Sequence, residues 1–155
     1  LTHGHADHIG AVRELKNKTQ APNYIHPEDK EMLTDPKSNR SLFFGFSVTA
    51  PPADKFLKEG VILSIGNLTL RVVHTPGHTA GGICLEYEKI LFTGDTLFAR
   101  SIGRTDFPGS SFESLIDSIK QKILVLSDEI TIYPGHGPSS TIGEERVHNP
   151  FLQED

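Results

Sequence analysis

The chain has 155 residues, 36% of them hydrophobic and 23% charged, with a formal net charge of −5. That length allows one domain with a real hydrophobic core, and the acidic balance argues against a nucleic-acid partner, which needs a basic face. No apolar run is long enough to span a membrane, and the single cysteine, Cys84, excludes an internal disulfide framework and points to a reducing, cytoplasmic setting. The sequence starts at Leu1 with no initiator methionine, so an organellar location stays open.

In chain order, Ile9, Val12 and Leu15 fall at helical spacing and predict a helix over residues 9–18. PNYIHP reads as a short strand closed by proline. PEDKEMLTD, with proline and acids in its first turn, reads as a helix. Residues 36–60 carry Gly45, Pro51 and Pro52 and predict an irregular segment, a common form for a functional loop. Its Phe43, Phe44 and Phe46 read equally well as an apolar lid over a substrate or as anchors to the core. Four strands follow, VILSI, LTLRVVH, GICLEY and KILFTGD, with hairpin turns at Gly66-Asn67 and near Glu88-Lys89. Cys84, inside GICLEY, reads as a buried small hydrophobe. Ser110 with Glu113 predicts a capping box, opening a helix whose Phe112, Leu115, Ile116, Ile119, Ile123 and Leu124 form one apolar stripe. ITIYPGHG is a last strand running into a turn, and TIGEERVH a short closing helix. Strands with helices on their faces predict an α/β layered domain.

The opening LTHGHADHIG packs His3, His5, Asp7 and His8 into six positions. Taken singly, each has a bland explanation, since Asp7 suits a helix N-cap and any one histidine a surface site. Four ligand types together argue for a metal. In an extended segment His3 and His5 point the same way, while Asp7 and His8, at the turn into a helix, suit a second ion. His78 in HTPGHTAGG, Asp95 in LFTGD and His136 in YPGHG each follow a predicted strand end, in or beside a glycine-containing turn. Five imidazoles and two carboxylates suit zinc, iron or manganese and lack the thiolates of a structural zinc site.

THGHADHIGA, HTPGHTAGG, LFTGDTLF, SIGRTDFPG, YPGHG and the terminal NPFL, in that order over nearly the whole chain, resemble the metallo-β-lactamase-fold hydrolases, and among them the short glyoxalase II-like enzymes. The resemblance implies an αβ/βα sandwich of two sheets flanked by helices, with a two-metal site at one edge. It implies a first metal held by His3, His5 and His78, a second held by Asp7, His8 and His136, and Asp95 bridging both. Two divalent ions, zinc foremost with iron or manganese as alternatives, would share a hydroxide that attacks a small-molecule thioester such as S-lactoylglutathione. Asp7 would also orient that nucleophile. In such folds further strands precede the T-H-x-H motif, so residues 1–155 read as a single metallo-hydrolase domain, a fragment lacking its N-terminal strands.

Other functions stay open. Related proteins carry out persulfide dioxygenation, on glutathione persulfide, with one iron held by residues matching His3, His78 and Asp95. GRTDF, with Arg104, Thr105 and Asp106, is shared by short hydrolases and dioxygenases. A third possibility is an inactive metal-binding fragment. Cysteine at Asp95 would mark a common β-lactamase subclass, and glutamate at His5 the flavodiiron oxygen reductases; the sequence carries neither. Arg104 reads evenly as the partner of a substrate carboxylate or as a salt bridge to Asp106. His74 reads as a packed group behind the ligands, His26 and His148 as structural or exposed, and Tyr133 as a core residue more readily than as a wall of the pocket.

Overall fold

The structure, a computed structural model, describes residues 1–153. Its centre is a six-stranded sheet in the order β10-β9-β6-β5-β4-β3. Strands β3 (Ile62–Ile65), β4 (Leu68–His74), β5 (Ile83–Tyr87) and β6 (Ile90–Gly94) form an antiparallel meander. Both predicted hairpins are present, with Ile65 opposite Leu68 and Tyr87 opposite Ile90. The chain then crosses through α3 (Phe112–Ser118) to lay β9 (Thr131–Pro134) parallel to β6. Strand β10 (Ser140–Thr141) leads into α4 (Ile142–His148). A two-stranded parallel ladder joins β1 (Tyr24–Ile25) to β2 (Lys55–Phe56), and a small hairpin joins β7 (Leu97–Phe98) to β8 (Ser101–Ile102). Two-residue strands are too short for an alternating pattern, which is why β2, β7, β8 and β10 left no mark in the sequence.

The core lies between one sheet face and the α3 segment. Val73, Cys84, Leu91 and Ile132 pack against Leu115, Ile119, Ile123 and Ile142. Each Leu or Ile fully removed from water there contributes roughly 1.5–3 kcal/mol. Cys84 is the buried hydrophobe expected, and burial pushes its thiol up to about 11. The other face carries a smaller cluster of Leu57, Val72 and Ile83. Tyr133 is not in the core: it lies 45% exposed on the sheet beside Phe92.

Three predicted elements differ in form. The helix expected over residues 9–18 is two pieces, α1 (Ala6–Ile9) and α2 (Val12–Thr19). The break at Gly10-Ala11 lets α1 begin inside the histidine cluster, and Leu15 ends up 58% exposed because α2 buries no residue fully. PEDKEMLTD makes 3₁₀ turns over Pro27–Leu33, not an α-helix, with the His26 ring accepting the Glu28 N–H. The tighter turns bury Asp29, a residue that would face solvent on an amphipathic helix. The cap of α3 is Ser111, one residue later than expected. Its hydroxyl accepts the Ser114 N–H, while Ser110 donates its hydroxyl to the His78 carbonyl. Past α3 the helix widens into a π-turn over Ile119–Ile123, which keeps Ile119 and Ile123 buried beside Leu115, while Phe112 at the stripe's start is half-exposed.

Candidate metal centre

The fold delivers the predicted residues to one sheet edge by four routes. Residues 1–5 run extended past β5: the Leu1 amine donates to the Tyr24 carbonyl, and the Thr2 carbonyl accepts the Ile83 N–H. This sets His3 and His5 beside the sheet, and α1 then presents Asp7 and His8 from its first turn. His78 sits in the connection from β4 to β5. Because β6 and β9 are parallel neighbours, their C-terminal ends bring Asp95 and His136 to the same edge, tied by the Gly135 N–H to the Gly94 carbonyl at 2.8 Å.

All seven predicted ligand residues meet there. His5 Nδ1 lies 2.9 Å from His78 Nε2, and His3, His5 and His78 form one buried group of facing ligand atoms. Asp7, His8 and His136 form a second, more exposed group: His136 Nε2 is 3.1 Å from Asp7 Oδ2 and 3.3 Å from His8 Nε2. Asp95 stands between the groups, its carboxylate 3.3 Å from His8, 3.5 Å from His78, 3.6 Å from His136 and 4.0 Å from His3.

The electrostatics suit a cation. Burial, then the surrounding histidines, holds His3 well below the usual imidazole range. Burial and the facing His78 bring His5 down to about 4, with Arg40 adding to the effect against Asp7 and Asp95. Both rings are therefore neutral at pH 7, the form that binds metals. Burial also disfavours charge on His8, but its contact with Asp95 and the charges of Asp95 and Asp7 outweigh this and raise its pKa. Burial likewise opposes charge on Asp95, and His8, His78 and His136 overcome it. His78 Nδ1 donates to the Arg104 carbonyl at 2.7 Å, which leaves the Nε2 lone pair for the centre. His3 Nε2 and Asp95 Oδ1 are buried with no hydrogen-bond partner among the described residues. Polar atoms orphaned in this way are costly, and a divalent cation among them satisfies both. The donor set fits.

Behind the ligands stands Asp29, which the sequence reading missed. Its buried carboxylate accepts the N–H of Gly4 at 3.2 Å, the N–H of Gly81 at 2.7 Å and the hydroxyl of Thr79 at 2.8 Å. It thereby joins the HGH segment to the loop that carries His78. Burial pushes its pKa up against those three hydrogen bonds. Nothing in PEDKEM separates Asp29 from its neighbour Glu28, so no local signal pointed to it. His74 supports the same loop, its Nε2 lying 2.9 Å from the Ala80 carbonyl while its ring stacks on His26 at 4.0 Å.

The cluster forms the floor of a cleft of about 450 Å³ whose walls include Phe44, Phe46, Phe98 and Phe107. Phe43 is 73% exposed, and Phe44 and Phe46 are half-exposed, so none anchors the loop to the core; Phe44 and Phe46 line the cleft, and Phe43 lines a neighbouring depression. Arg104 also lines the cleft, but its fork is occupied by both oxygens of Asp106, at 2.9 and 2.8 Å.

The chain is similar to known proteins over most of its length. Residues 1–136 match the family model described as the metallo-beta-lactamase superfamily. The chain is 42% identical to a hydroxyacylglutathione hydrolase of Haemophilus influenzae, covering 98% of this chain and 74% of that protein. It superposes on the crystal structure of the B3 metallo-β-lactamase BLEG-1 with a TM-score of 0.95 at 44% identity, over 99% of this chain and 76% of that one. It superposes on a protein solved in a di-iron-bound form with a TM-score of 0.85 at 36% identity, over 98% and 75% of the two chains. The chain belongs to the metallo-β-lactamase superfamily of metal-dependent hydrolases, whose fold binds divalent metal ions.

Proposed function

We propose that this chain hydrolyses thioesters of the S-lactoylglutathione type, using two divalent metal ions. The observation that carries the reading is the second group, Asp7, His8 and His136, gathered within 3.6 Å contacts beside the buried histidines. A single-iron dioxygenase centre on His3, His78 and Asp95 leaves that group without a role. The likeness to a hydroxyacylglutathione hydrolase supports the choice of substrate.

In this reading His3, His5 and His78 would hold one ion and Asp7, His8 and His136 the other, with Asp95 available to both. When bound there, the ions supply Lewis acidity, acidifying a water molecule and polarising the substrate carbonyl. The chain's residues do the rest. Asp7, exposed at the cleft floor, accepts a proton from the attacking water and orients it. The Arg104 carbonyl holds the His78 ring in one tautomer. The phenylalanine walls exclude bulk water from around the thioester and strengthen polar interactions within the cleft.

Metal content by mass spectrometry, on protein purified without oxygen or added metal, tests this beside hydrolysis of S-lactoylglutathione. About two metals per chain, with hydrolysis lost in His136→Ala, is expected. Iron at about one per chain with oxygen consumed on glutathione persulfide, or full hydrolysis in His136→Ala, overturns it. A second reading, β-lactam hydrolysis, rests on the likeness to BLEG-1. Nitrocefin turnover faster than thioester turnover would favour it.

A further inference from the structure

Next to the cleft lies a second depression, of about 410 Å³, whose lining includes Lys37, Arg40, Phe43, Arg104, Asp106 and Phe107. Three cations meet one carboxylate there, in a chain whose net charge is −5. Both oxygens of Asp106 are committed to Arg104, so Lys37 and Arg40 have no acid of their own in it.

Arg40 is the distinctive member. It lines both this depression and the main cleft. One end of its guanidinium donates to the Pro108 carbonyl, while its Nε is buried with no partner among the described residues. Its backbone is left-handed, with φ 70°, uncommon for a residue with a Cβ. Such positions persist where the surrounding structure imposes them, often at ligand clamps. The Phe107 ring connects this cation to the metal centre: the Arg40 guanidinium carbon lies 5.9 Å from its centroid, that of Arg104 4.4 Å, and the His5 ring 5.6 Å. A substrate with its carbonyl at the histidines therefore has cationic donors within one aromatic ring of the reacting carbon.

We propose that Arg40, assisted by Lys37, is the specificity-determining residue of the cleft and takes a carboxylate on the thiol arm of the thioester. The guanidinium suits a carboxylate, which it meets with charge-assisted hydrogen bonds from its accessible end. Lys37, exposed at the rim, adds attraction that salt screens. This inference rests on the thioesterase reading and adds the residues that discriminate an anionic thiol arm from a neutral one.

The test compares kcat/KM for S-lactoylglutathione with that for its diethyl ester, which lacks both carboxylates, in wild type, Arg40→Gln and Lys37→Gln. Alongside it, calorimetry follows binding of S-hexylglutathione, a thioether that cannot be cleaved. The wild type is expected to prefer the anionic thioester, and Arg40→Gln to lower that preference at least about tenfold with metal content retained. Lys37→Gln, an exposed substitution that avoids a folding defect, is expected to lower it less and to flatten its salt dependence. Weaker S-hexylglutathione binding in Arg40→Gln gives the same answer without turnover. If the wild type cleaves both thioesters equally, or if neither substitution changes the preference or the binding, the inference is overturned. If the wild type cleaves neither thioester but binds the thioether through Arg40, the anion site stands and the thioesterase reading falls.

Discussion

Replacing Gly135 with alanine tests whether the site depends on atoms that are absent as well as on its ligands. Gly135 precedes His136 at the end of β9, and its φ is not in the left-handed region, so the backbone accepts alanine. A Cβ there would lie 2.4 Å from Asp95 Oδ1 and 2.6 Å from His8 Cε1. Contact distance for such atoms is about 3.5 Å, so something must move by roughly 1 Å. Neither neighbour has room: Asp95 Oδ1 is buried, and the His8 ring packs at 4.0 Å on His3. A misplacement of about 1 Å costs on the order of 10²-fold in rate, about 2.7 kcal/mol of transition-state stabilisation. The fold itself should barely respond, because Gly135 is exposed and its N–H still reaches the Gly94 carbonyl. Thioester turnover and metal content should therefore fall while the melting temperature of metal-free protein shifts by no more than about 4 °C. Two retained metals with wild-type turnover would refute the crowding.

Asp29→Asn keeps the shape but removes the charge that accepts from Gly4, Thr79 and Gly81, and metal affinity by chelator competition should weaken about 10–100-fold; unchanged affinity would reduce Asp29 to packing. Leu115→Ala, at a fully buried position on α3, should cost about 3 kcal/mol and lower the melting temperature by about 10 °C, with metal content intact. Metal-free protein should also lose stability in acid. His3 and His5 have depressed folded pKa values, so their contribution is present above pH 6.5 and is lost in acid, that of His5 as pH falls through about 4 and amounting to about 3 kcal/mol. His8, raised, works the other way, so the clean comparison is urea unfolding of wild type and His5→Asn between pH 7 and pH 4.5. Parallel curves for the two proteins would contradict the buried, neutral His5.

The histidine and aspartate cluster and the meander were legible because they follow local rules. Spacing of two in THGH, strand ends followed by glycine, and the turn at Gly66-Asn67 are all readable within a few residues. The reading failed where long-range contacts decide. Asp29 looks like a helix-start acid until residues 4, 79 and 81 close over it. The cap of α3 moved from Ser110 to Ser111 because Ser110 is held by the distant His78 carbonyl. Tyr133 has the neighbours of a core strand residue, yet its side of the sheet is open. Arg40 gave no sign in DPKSNRS, since what sets it apart, a buried Nε with no partner among the described residues, is decided by tertiary packing.

The two ends of the sequence meet in the centre. His8 touches His136 across 128 residues of chain, and His5 faces His78 across 73. No local helix or hairpin contains either half of the site, so the pocket exists only once these long-range contacts have closed. An ion that recognises the assembled ligands ignores every partly folded form, and its binding energy is added to the stability of the whole chain. Metal uptake during refolding is therefore expected to follow closure of these long-range contacts.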